Sequence, residues 1–148
     1  ANKKYLLNDI NQAYQLINDL ANNKEYQLAI EIGNDLLNKI DTRNDLYEPL
    51  MYRLAKWNYK INNFKKSIKL INKYLSELPY GDFAEEMKNI KNKILFQIPD
   101  NNSTLMLQRY DEIIKKYKNN DLAKKALKSK IELLYKLKKY NQILNLDV

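Results

Sequence analysis

The sequence predicts an all-α fold in which antiparallel helical hairpins stack as a short α-solenoid. Three observations carry this. Apolar residues recur at helical spacing along nearly the whole chain, and segments with similar openings return 37 and then 39 residues apart. Turn residues are also scarce: Gly occurs only at 33 and 81, and Pro only at 49, 79 and 99. An all-β chain needs such residues about every ten positions. With 148 residues, 45% of them hydrophobic, the chain is long enough to form a single domain with a substantial core.

The repeated openings are Asp45-Leu46-Tyr47-Glu48-Pro49-Leu50, Asp82-Phe83-Ala84-Glu85-Glu86-Met87 and Asp121-Leu122-Ala123-Lys124-Lys125-Ala126. Each Asp is a candidate N-cap, because its carboxylate can accept from the free N–H groups of the first turn. Glu48 and Glu85 sit three residues on, as in a capping box. Pro49 fits a first turn, where its missing N–H has no intrahelical partner to lose.

Behind these openings run Leu50, Leu54, Trp57 and Ile61; Met87, Ile90, Ile94 and Ile98; and Ala126 or Leu127, Ile131, Leu134 and Leu137. These are first helices of hairpins, with Trp57 a core residue. Second helices follow short polar breaks, one with Phe64, Ser67, Ile68, Ile71, Tyr74 and Leu75, the next with Leu105, Tyr110, Ile113, Ile114 and Tyr117. An N-terminal pair spans about residues 3–21 and 25–40. The hairpins therefore cover about 1–41, 43–79 and 82–119, with a partial one at 121–148. The chain starts in mid-pattern and stops a few residues into a new helix, which reads as part of a longer or processed protein. Ile143, Leu144 and Leu146 in that last helix are expected to need a cover.

The segment Tyr52-Arg53-Leu54-Ala55-Lys56-Trp57-Asn58-Tyr59-Lys60-Ile61-Asn62-Asn63-Phe64-Lys65-Lys66-Ser67-Ile68 resembles the tetratricopeptide repeat family. The family's small residue of the first helix falls on Ala55, its turn aromatic on Phe64, the small residue of the second helix on Ser67 and the closing proline on Pro79. Lys24 to Ile30 and Leu137 to Ile143 repeat the turn signature. The resemblance implies a right-handed solenoid whose concave groove is lined by first helices. Two departures are that Ile17 occupies the small-residue position of the first pair, and that Asn or Lys replaces the turn glycine, which predicts looser packing or different packing angles. The stretch from Tyr74 to Glu86 is similar to the longer-period repeats of bacterial envelope proteins, including the lipoprotein component of the outer-membrane protein assembly machine. That resemblance implies a periplasmic or envelope-associated location rather than a cytoplasmic one.

The chain contains neither His nor Cys. The commonest general base, the commonest transition-metal ligand and the most reactive nucleophile are thus missing together. Adjacent acids occur at Glu85-Glu86 and Asp111-Glu112, but neighbours on a helix point about 100° apart and cannot share one site unaided. No calcium loop, Gly-rich phosphate cradle or Ser-centred motif is present. The expectation is a non-enzymatic protein with no cofactor and no metal. No apolar run reaches the roughly 18 residues of a membrane span.

The net charge of +8 is local. Ten lysines lie between Lys115 and Lys139 against Asp121 and Glu132, and the remainder of the chain is neutral. The abundance of Lys, Asn, Ile and Tyr also fits AT-rich codon usage. Two surfaces follow. The resemblance places groove positions at Asn11, Tyr14 and Asn18, at Tyr52, Lys56, Tyr59 and Lys60, and at Lys88 and Asn92, an amphipathic and mildly basic strip suited to a segment of another protein. Tyr14 and Tyr52 serve equally well as packing between repeats. The second surface is a basic patch at Lys124, Lys128 and Lys136, for an acidic protein, an anionic membrane surface or nucleic acid, or else simply a solvated face. Nucleic acid is the least favoured, since the cluster has no Arg and little exposed aromatic interleaving. The leading expectation is a protein-interaction module that scaffolds a multiprotein assembly. The alternative is a basic helical adaptor using residues 115–139. The oligomeric state is not legible.

Overall fold

The computed structural model describes residues 9–97 and 102–146, and all regular structure among them is helical. The helices are α1 Ile10–Asn22, α2 Tyr26–Leu37, α3 Tyr47–Lys60, α4 Phe64–Glu77, α5 Ala84–Gln97, α6 Ser103–Lys116, α7 Asp121–Lys136 and α8 Tyr140–Leu144. The chain divides into two compact units between Lys91 and Asn92, within α5. The expected first helix from residue 3 begins outside the described residues, as does Ile98.

In the first unit α1 pairs with α2 and α3 with α4, and α2 packs on α3, so one hairpin stacks on the next. The core takes Ala13 and Ile17 from α1, Ala29, Ile30 and Leu36 from α2, and Leu50, Leu54 and Trp57 from α3. Trp57 is 6% exposed and is a core residue, as its spacing predicts. The bulk of Ile17 is accommodated by Gly33, since a Cβ there would stand 2.7 Å from Leu54 Cδ2 and 3.5 Å from Ile17 Cδ1. Ala55 and Ser67 are both fully buried where the small residues are expected. Ser67 Oγ donates to the Ala55 carbonyl at 2.8 Å, which satisfies a buried hydroxyl and holds α4 close to α3.

The hairpin turns are tight despite their lack of glycine. Lys24, Asn62 and Lys138 each take a left-handed conformation, with φ of 63°, 61° and 59°. In each turn two hydrogen bonds close the preceding helix. The Lys24 and Glu25 N–H groups donate to Ala21 and Leu20, those of Asn62 and Asn63 to Tyr59 and Asn58, and those of Lys138 and Lys139 to Tyr135 and Leu134. This is the Schellman geometry, usually built on glycine. An aromatic residue, Tyr26, Phe64 or Tyr140, opens the following helix each time.

The expected aspartate caps are not found. Asn44 Oδ1 accepts the Leu46 N–H at 2.9 Å, forming a side-chain turn that delays α3 to Tyr47 and leaves Asp45 exposed ahead of it. Asp82 likewise precedes α5 by two residues. Asp121 is the first residue of α7, and its neighbour Asn120 supplies the cap, accepting the Leu122 N–H at 2.8 Å. Pro49 does lie in the first turn of α3. Glu48 turns away from the capping-box role and accepts from Tyr74 Oη at 2.7 Å and from the Asp82 N–H at 3.2 Å.

In the second unit α6 packs on α7 and α7 on α8. Met106, Tyr110, Ile113 and Ala126 form its core, with Phe96, Tyr117, Leu122 and Leu133 against it. Phe96 meets Tyr110 edge-on at 5.9 Å. Leu134 is fully buried as its spacing predicts, whereas Leu137, at the turn, is exposed.

Candidate partner-binding surface

On α3, Tyr52, Lys56, Tyr59 and Lys60 follow i, i+4, i+7, i+8 spacing and share one face. Lys56 and Lys60 are exposed, and Tyr52 and Tyr59 are half-buried. The Tyr52 ring stacks on Phe83, with centroids 4.7 Å apart and planes 14° apart, and Lys56 Nζ stands 5.8 Å from its centre. Tyr59 tilts against Phe64 at 5.8 Å, next to the α3–α4 turn. These tyrosines thus pack on one side while presenting an edge to solvent.

On α1, Asn11 is exposed, and Tyr14 and Asn18 are half-buried. Tyr14 packs on the first unit's core, and its hydroxyl accepts from Arg53 Nε at 2.7 Å. The Arg53 guanidinium lies 5.8 Å from the Tyr14 ring centre. This contact brings the first helices of two successive hairpins together, and places Arg53 beside Lys56 on the α3 face. Arg53 was not among the groove positions implied by the resemblance. Its only sequence signal is a position one residue from Tyr52, and its partner lies 39 residues away.

The remaining two positions fall on α5. Lys88 is half-buried and pairs with Glu85 at 3.7 Å, one turn away. Asn92 belongs to the second unit, where its Nδ2 donates to Tyr117 Oη at 2.9 Å. The first unit therefore holds the basic part of the strip, and among the described residues no carboxylate pairs with Arg53, Lys56 or Lys60.

Two open pockets of about 310 and 340 Å³ flank the loop at 38–46 and contain none of the expected groove residues. Both include Asp41, whose side chain is held by Arg43 at 2.7 Å. That hydrogen bond drops its pKa to about 2.

In the basic patch, Lys124, Lys128 and Lys136 are all exposed on α7. Lys130, by contrast, is turned to Asp111 at 2.6 Å and is not part of the open charge. The expected shortage of exposed aromatics does not hold: Tyr135, near the end of α7, and Tyr140, which opens α8, are both exposed. No protein-family model matches the chain, and no curated protein matches it.

Proposed function

We propose that the chain is a non-enzymatic, tetratricopeptide-like interaction module that scaffolds an assembly by holding an acidic, extended segment of a partner protein on the α1–α3 face. The observation that carries this reading is the Arg53–Tyr14 contact. It fixes a guanidinium between two first helices with donors to spare and no carboxylate of its own. Lys56 and Lys60 extend the positive charge along α3, while Tyr14, Tyr52 and Tyr59 offer rigid apolar edges with few rotors to freeze. A partner segment with carboxylates spaced among apolar residues matches that surface, and one bound carboxylate would take both free nitrogens of Arg53.

Selection from a random displayed-peptide library tests it. The expected winners are enriched in Asp and Glu, and Lys56→Ala or Lys60→Ala weakens them by at least about tenfold while thermal unfolding is nearly unchanged. Winners without acidic enrichment, or with affinity indifferent to both substitutions, would refute the reading.

A further inference from the structure

The α7–α8 end of the second unit interleaves cations with exposed apolar groups. Lys124, Lys128 and Tyr135 fall within about 40° of one another around α7. Tyr135 is 65% exposed and meets Tyr140, 48% exposed, edge-on at 5.6 Å across the turn. Leu144, one helical turn beyond Tyr140, is 80% exposed. Among the described residues, Lys124, Lys125, Lys128, Lys136, Lys138 and Lys139 pair with no carboxylate. A merely solvated face would account for the lysines. It would not account for Tyr135, Tyr140 and Leu144, which are exposed as well.

We propose that this surface docks peripherally on an anionic lipid bilayer. Lysines there meet headgroup phosphates through long stems, Tyr135 and Tyr140 sit at headgroup level, and Leu144 enters the acyl boundary. Leu144 and Leu137 favour this occupant over a single-stranded nucleic acid: bases would stack on tyrosine, whereas the acyl boundary is the phase that takes up exposed aliphatic side chains. The cations are all lysine, hydrated point charges suited to a diffuse and laterally mobile anionic layer rather than to the bidentate grip on a fixed phosphate that Arg provides. Attachment is to the surface, since no helix among the described residues is long and apolar enough to cross a membrane.

Co-sedimentation of the 148-residue chain with vesicles tests the proposal. It should bind equimolar phosphatidylcholine and phosphatidylserine and ignore phosphatidylcholine alone. Replacing Lys124, Lys128 and Lys136 together by Ala should lower partitioning about a hundredfold, some fivefold per lysine. Leu144→Ser, with every lysine kept, should lower it about tenfold. All four positions are exposed, and circular dichroism verifies that each variant keeps its helices. No binding to the mixed vesicles would overturn the proposal. So would full binding by Leu144→Ser, or a single-stranded RNA oligonucleotide that binds through Tyr135 when vesicles do not.

Discussion

The Tyr74 hydroxyl donates to Glu48 Oε1 at 2.7 Å and accepts the Phe83 N–H at 2.9 Å. One phenol therefore ties the end of α4 to the first turn of α3 and to the segment leading into α5. The same Glu48 oxygen takes the Asp82 N–H, so the joint has three donors on two oxygens. Tyr74→Phe leaves the Phe83 N–H without its acceptor and Glu48 without its strongest donor, and should destabilise the first unit by about 1–3 kcal/mol. Urea unfolding of the single and double variants checks this. Combining Tyr74→Phe with Glu48→Ala should cost clearly less than the sum of the two, since both remove one contact.

Two of the buried tyrosines, Tyr74 and Tyr47, make stability fall at high pH. Burial, then the bond to Glu48, pushes the Tyr74 pKa from 10.0 up to about 12, and burial with the Glu77 bond does the same for Tyr47. Asp82 adds to the field at Tyr74 and Asp41 to that at Tyr47. In this range the folded state holds protons that the unfolded chain has released. The contribution is therefore fully present below pH 10, and it is lost as pH rises towards 12. Solvent reaching the half-buried Glu48 and the exposed Glu77 screens the effect to about 1–2 kcal/mol per tyrosine. Denaturant melts from pH 9 upward should show a steeper loss for the natural chain than for Tyr74→Phe. Equal slopes would exclude a role for this phenol.

Gly81 tests the same joint by steric means. A Cβ at Gly81 would collide with the Tyr74 hydroxyl and the Glu48 carboxylate. Gly81→Ala must therefore displace the hydrogen-bonded pair and should cost about 1–3 kcal/mol in the same unfolding experiment. In a Tyr74→Phe background the further loss should shrink, because the hydroxyl it meets is gone.

The helices and their inward faces were legible because burial imposes a 3.6-residue period: Leu50, Leu54 and Trp57 announce α3, and Ala55 with Ser67 announces the close α3–α4 approach. The helix starts were less so. Asp45, Asp82 and Asp121 have the right chemistry for caps, but where the helix begins, at the Asp itself as in α7 or two residues behind it as in α3 and α5, depends on loop geometry that adjacent residues do not encode. Of the candidate surface, the shared α3 face could be read from helical spacing, whereas the joints could not. Glu48–Tyr74 and Arg53–Tyr14 span 26 and 39 residues, and a side-chain hydrogen bond between helices leaves no periodic trace.

The turn positions rank a series of glycine substitutions. Lys24 and Lys138 carry a Cβ in a left-handed backbone, which costs a β-carbon residue about 1–2 kcal/mol, whereas Asn tolerates that region better. Offset by the greater freedom glycine gives the unfolded chain, Lys24→Gly should still stabilise by about 0.5–1 kcal/mol and Asn62→Gly by less. Lys24→Val should destabilise instead, because a β-branched side chain fits φ of 63° poorly. Thermal melts of the three variants give the order directly.

Asn58 offers the clearest stabilising change. It sits at the same place before its turn as Leu20 and Leu134, the residue whose carbonyl accepts the second N–H past the helix end. Unlike those leucines it is polar, and it is only 1% exposed. Its Nδ2 donates to the Leu54 carbonyl at 2.8 Å, but Oδ1 is buried with no partner. The Leu54 carbonyl already serves the helix, so the side-chain bond adds little, while the orphaned oxygen carries a desolvation penalty of about 1–3 kcal/mol. Asn58→Leu removes that oxygen and restores the residue type that the other two turns use. It should raise stability by about 1–2 kcal/mol against the modest volume increase. Urea unfolding of Asn58→Leu and Asn58→Asp separates the terms: Leu should shift the midpoint up, and Asp, which buries a charge in place of a dipole, should shift it sharply down. A lower midpoint for Leu would show that Oδ1 makes a contact worth more than its burial costs.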